Sequence, residues 1–127
     1  MNTAEIIIQL KQATADLLWL SESDYPFEIV TWAKGIELSS LALFKDAGAV
    51  ESISVNDFFA PALIVEDWYE AEELATVDRY KLLLQTIESN LTQLKVFRLH
   101  SVEIDVYIIG KTPDGDVVGL KTTIVET

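Results

Sequence analysis

Five carboxylates fall within eight residues at Glu66, Asp67, Glu70, Glu72 and Glu73, and Trp68 and Tyr69 sit among them. No Lys or Arg occurs between Lys45 and Arg79 to neutralise the run. Carboxylates beside large aromatics suit binding to a basic groove of the kind built for nucleic acid. The competing reading is a solvated, acid-rich helix start, which is common. Tyr25, ahead of Pro26 in the acidic loop Ser21–Pro26, repeats the combination, and Glu22 and Asp24 lie beside it.

Catalytic constellations are poorly represented. His100 is the sole histidine, placed in a strand-like stretch near Arg98 and Ser101, and no Ser-His-Asp set follows from the spacing. The five glycines are scattered, so no phosphate-cradling loop is present. Glu70, Glu72 and Glu73 do not share one helical face, and no His or Cys supports them as metal ligands. Asp114-Gly115-Asp116 resembles a piece of a cation-binding loop but is explained by a turn. With no cysteine there is no disulfide or thiolate chemistry. No catalytic residue, metal site or cofactor is expected.

The whole chain of 127 residues carries 21 Asp+Glu against 9 Lys+Arg, a net charge of -12. Such a surface repels nucleic acid and anionic lipid and favours a basic protein partner through fast, salt-sensitive association. Half of the residues are hydrophobic, enough for a substantial core, and the length suits a single domain over 1–127. No basic leader opens the sequence and no apolar run is long enough to span a bilayer. A soluble, cytoplasmic protein is the expectation.

The positioning elements follow from periodicity. Asn2 with Glu5 forms a capping box for a first helix, with Ile6, Ile7, Leu10, Ala13, Leu17 and Leu18 in helical spacing to about Leu20. Phe27 to Trp32 reads as a strand, whereas Ile36 to Val50 fits either a short helix or a strand. Glu51 to Val55 is a short strand candidate. Ser54 with Asp57 caps a brief helix through Ala60, closed at Pro61. Asp67 with Glu70 then suggests a second capping box, opening a long helix from Trp68 to about Leu91. Its apolar stripe is Leu74, Val77, Leu84, Ile87 and Leu91, with Tyr80 and Leu83 beside it. From Lys95 the period becomes two, Thr112-Pro113-Asp114-Gly115-Asp116 makes a hairpin turn, and Val117 to Val125 returns as a strand. The sum is an α+β chain, an α/β/α sandwich with a largely antiparallel sheet and a C-terminal β-hairpin.

Several of these segments resemble one family. Ser21-Glu22-Ser23-Asp24-Tyr25-Pro26-Phe27-Glu28, Asp67-Trp68-Tyr69-Glu70, Val102 through Gly110 with Thr112-Pro113, and the ending Val125-Glu126-Thr127 are similar, in this order, to the nuclease A inhibitor (NuiA-like) family. The likeness spans nearly the whole chain and is least between Ala33 and Ile53. It implies an α/β/α sandwich that blocks a sugar-non-specific, magnesium-dependent endonuclease of the ββα-metal class. It also implies a partner-binding set of Glu22, Asp24, Tyr25, Asp67, Trp68, Tyr69, Glu70 and Thr127. In that pattern Glu22 faces basic residues of the nuclease cleft, Asp67 and Trp68 form a second binding loop, and Thr127 approaches the partner's magnesium. The alternatives are an acidic binding module of the same fold with another basic partner, and a carboxylate-based hydrolase.

Overall fold

A computed structural model describes residues 2–18, 25–32, 49–100 and 104–124, with Ala49, Val50 and His100 described by their backbone alone. Helix α1 (Thr3–Thr14) is followed by strands β1 (Glu28–Trp32) and β2 (Ala49–Ile53). Helix α2 (Val55–Phe59) runs into a 3-10 turn (Ala60–Leu63), and then come helix α3 (Ala71–Asn90) and strands β3 (Thr92–His100), β4 (Ile104–Lys111) and β5 (Val117–Ile124). The strands form one antiparallel sheet in the order β1-β5-β4-β3-β2. The α+β class and the C-terminal hairpin are as the sequence implies. The hairpin turn closes with the Thr112 N–H donating to Asp116 O at 2.9 Å, and Gly115 supplies the φ of 89° that the turn requires.

The three helices all feed one core on one face of the sheet. Ile6 and Leu10 of α1, Phe58 and Phe59 of α2, and Tyr80, Leu83, Leu84 and Ile87 of α3 meet Val96, Ile104, Val106, Ile108, Val118 and Leu120 from the strands. The alternation of β4 and β5 makes this possible, because Val106↔Thr122 and Ile108↔Leu120 put one side of both strands inward. The other face carries a smaller cluster, Ile109 and Val117 with Trp32, Phe97 and Tyr107. A second helical layer on that face is not among the described residues; the ambiguous segment Ile36–Val50 lies outside them except for Ala49 and Val50, which open β2.

Three local readings need correction. Helix α1 ends at Thr14, not near Leu20, although Leu17 and Leu18 keep helical spacing. Asp16 adopts a left-handed φ of 59°, which a helix interior does not allow, and the chain turns there. Leu17 still reaches the core. The capping box of α3 is Glu70 with Glu73, not Asp67 with Glu70. The Glu70 N–H donates to Glu73 Oε2 at 3.0 Å and the helix starts at Ala71. Leu74, expected on the buried stripe, is exposed.

Glycine is required at one further place. In β5, between β1 and β4, a Cβ on Gly119 would lie 2.1 Å from Ile108 O. The strands approach each other there only because no side chain intervenes.

Candidate functional site

The acidic-aromatic segment is built between two rigid anchors. On one side Phe58 and Phe59 pack edge to face with centroids 5.3 Å apart inside the core, and Ala62 of the 3-10 turn is buried behind them. On the other side α3 begins at its Glu70 cap, with Glu72 and Glu73 in its first turn where the helix dipole favours negative charge. The chain between the anchors comes to the surface. Ile64 and Val65 are both more than half exposed, at 55% and 53%. A turn then closes from the Tyr69 N–H to Glu66 O at 3.1 Å.

That turn presents Trp68 with 68% of its surface in water. Its indole stands edge to face on the Tyr69 ring, with centroids 4.6 Å apart and an interplanar angle of 82°. Tyr69 is half-buried, and Asp67 and Glu70 flank the pair in solvent. Beneath the two rings lies a recess of about 190 Å³, lined by Ala62, Trp68, Tyr69, Glu73, Thr76, Val77 and Tyr80. Leaving two-thirds of an indole in water forgoes on the order of 3 kcal/mol of burial free energy, which a contact surface recovers on binding.

Tyr25 takes a different position. It lies half-buried at a shallow cleft of about 160 Å³ with Pro26, Glu28, Lys121, Thr122 and Thr123, against the β1 and β5 side of the sheet. The Thr122 hydroxyl donates to Tyr25 O at 3.4 Å. The two surfaces are tied through one residue. The Tyr80 ring lines the recess under Trp68, and its hydroxyl donates to Leu18 O. Leu18 in turn bridges to Pro26. Beside it, Arg79 Nη2 donates to Ala13 O at 3.0 Å and Ala15 O at 2.7 Å, holding the end of α1 against α3.

Of the expected contact residues, Trp68 and Tyr69 thus share one recess, Asp67 and Glu70 border it, and Tyr25 lines a separate cleft. Glu22, Asp24 and Thr127 lie outside the described residues. Ile64 and Val65 join the site without having been singled out, and Glu73, one of the five clustered carboxylates but not an expected contact residue, lines the recess. The sequence signal for Ile64 and Val65 was an apolar pair between the Pro61 break and the acid run, where no helical or strand period continues. Among the described residues no group of three His, Asp or Glu side chains is placed to hold a metal ion.

Fold and site together define an α+β protein with an exposed aromatic-acidic surface. The chain belongs to the nuclease A inhibitor-like family, whose model matches residues 4–127. A search of curated proteins found no match. Membership points to a role in inhibiting a nuclease, and so to a nuclease partner rather than to catalysis by this chain. Among the described residues no helix is long and apolar enough to cross a membrane.

Proposed function

We propose that the protein is a stoichiometric inhibitor of a magnesium-dependent, sugar-non-specific endonuclease of the ββα-metal class, and that it occupies the basic active-site cleft. The observation that carries this reading is Trp68, two-thirds exposed on a turn among carboxylates, in a stretch with no Lys or Arg between Lys45 and Arg79. A cleft evolved for phosphates offers Lys and Arg to such a surface, and aromatic anchors are the residues that dominate binding energy. Titrating the protein into a DNA-cleavage assay gives an end point near one inhibitor per nuclease. Unchanged cleavage at micromolar excess over several nucleases of this class sinks the proposal in favour of an acidic binding module with another partner.

Glu22 and Thr127 carry the remaining roles, on the family resemblance. Glu22 faces the basic residues of the cleft, and Glu22→Gln slows association and flattens its dependence on salt, because one steering charge is removed. Stopped-flow rates at low and high salt measure this; equal slopes for both proteins exclude Glu22 as a contact charge. Thr127 approaches the catalytic magnesium. Deleting it reduces inhibition sharply while the denaturation midpoint hardly moves. Full inhibition by the shortened chain excludes the terminal contact.

A further inference from the structure

The recess under Trp68 and Tyr69 has an unusual distribution of polar groups. Its walls are the Ala62 methyl, the Val77 side chain and the three aromatic rings of Trp68, Tyr69 and Tyr80. Three of the polar groups at its margin are engaged within the chain. The Tyr80 hydroxyl points away to Leu18 O, Glu73 Oε2 accepts from the Glu70 N–H, and the Thr76 hydroxyl donates back to Glu72 O at 3.2 Å. What lines the recess is mainly apolar. The exposed pair Ile64 and Val65 extends the apolar character along the chain next to it. Outside this centre stand the carboxylates of Glu66, Asp67, Glu70 and Glu72, all exposed.

An apolar centre with a charged rim is the anatomy of a protein interface. We infer that the recess receives one apolar side chain from the partner, with Ile64 and Val65 packing around it, while the acid rim meets the partner's basic residues. The inference rests on the nuclease-inhibitor reading for the partner's identity and adds to it an apolar projection beside the basic cleft. A second copy of this chain is a poor occupant, because two acid rims of a protein carrying -12 would be brought together. A small polar ligand is a poor one as well, since most of the wall is apolar.

Two variants test the inference. Thr76→Phe sets a ring at the mouth of the recess from an exposed helix position, and the double change Ile64→Ser with Val65→Ser removes the apolar margin; neither alters a charge. With wild type inhibiting, each folded variant raises the Kd about tenfold or more through faster dissociation, and the salt dependence of association stays that of wild type. Circular dichroism melts establish folding, and if Thr76→Phe does not fold the Ile64/Val65 variant decides alone. Wild-type affinity in the folded variants overturns the inference, as does a change confined to the association rate. A wild-type dimer that Thr76→Phe disperses overturns it in favour of self-association. A wild-type protein that inhibits no such nuclease is a separate result, which overturns the reading beneath it.

Discussion

Trp68→Ala is expected to raise the dissociation constant of the nuclease complex about thirtyfold and to leave the fold nearly intact. The two effects separate because of where the indole lies. Truncating an interface anchor costs about 2 kcal/mol or more, and every 1.4 kcal/mol is roughly tenfold in affinity. The folded protein, in contrast, has little to lose, because 68% of Trp68 is already in water. Its principal described contact is the edge-to-face pair with Tyr69, and such pairs contribute about 0.5–1.5 kcal/mol. Leu82→Ala provides the control. Leu82 is another exposed apolar residue of α3, at 56%, but it does not line the recess. It should alter neither inhibition nor stability by a measurable amount. Inhibition titrations and denaturant melts on the three proteins decide the matter. If Trp68→Ala lowers the midpoint strongly while affinity per folded molecule is unchanged, the indole supports the fold and is not the anchor.

Gly119→Ala should produce the opposite pattern, a collapse of stability at a site remote from the contact surface. The new Cβ would meet Ile108 O at 2.1 Å and Ile109 Cα at 3.0 Å, both backbone atoms of β4. Neither moves without opening the ladder that joins β4 to β5. Overpacking usually costs about 1–3 kcal/mol, and a backbone clash of this depth belongs at or above the top of that range. Against a total stability of about 5–15 kcal/mol this is a large fraction. Gly110→Ala is the graded comparison. Its Cβ would meet Leu91 Cβ at 2.8 Å and Leu94 Cδ2 at 2.9 Å, so side chains can take up part of the overlap. Urea midpoints should fall in the order wild type, Gly110→Ala, Gly119→Ala. A Gly119→Ala protein as stable as wild type means that the strands stand further apart than described.

The sequence was most legible where a period ran long. The stripe of α3, the alternation of β4 and the Pro-Asp-Gly turn are each local signals, and each led to the observed element. Boundaries failed where two local signals competed. Asp67-x-x-Glu70 and Glu70-x-x-Glu73 are both capping patterns, and the second won. That shift of three residues matters for the site, because it removes Trp68 and Tyr69 from the helix and places them on a turn. The end of α1 failed for a different reason: the apolar spacing of Leu17 and Leu18 persists past the left-handed Asp16. What no local pattern carried was long-range partnership. The pairing of β1 with β5, the recess floor from Ala62 and Tyr80, and the link from Tyr80 to Leu18 join residues far apart in sequence.

One such partnership lies at the start of α1. The Thr3 N–H donates to Asp114 Oδ2 at 3.0 Å, and its hydroxyl donates to Asp116 Oδ2 at 2.6 Å and is paired with the Thr112 hydroxyl at 2.9 Å. The carboxylates that complete the first turn of α1 are therefore supplied by the β4–β5 hairpin. During translation, at about 5–20 residues per second, α1 and β1 leave the ribosome many seconds before residues 112–124 exist. For that interval the apolar side of α1, with Ile6 and Leu10, has no sheet to cover it and β1 has no neighbour. The sheet that covers α1 is thus complete only once the β4–β5 hairpin has been made.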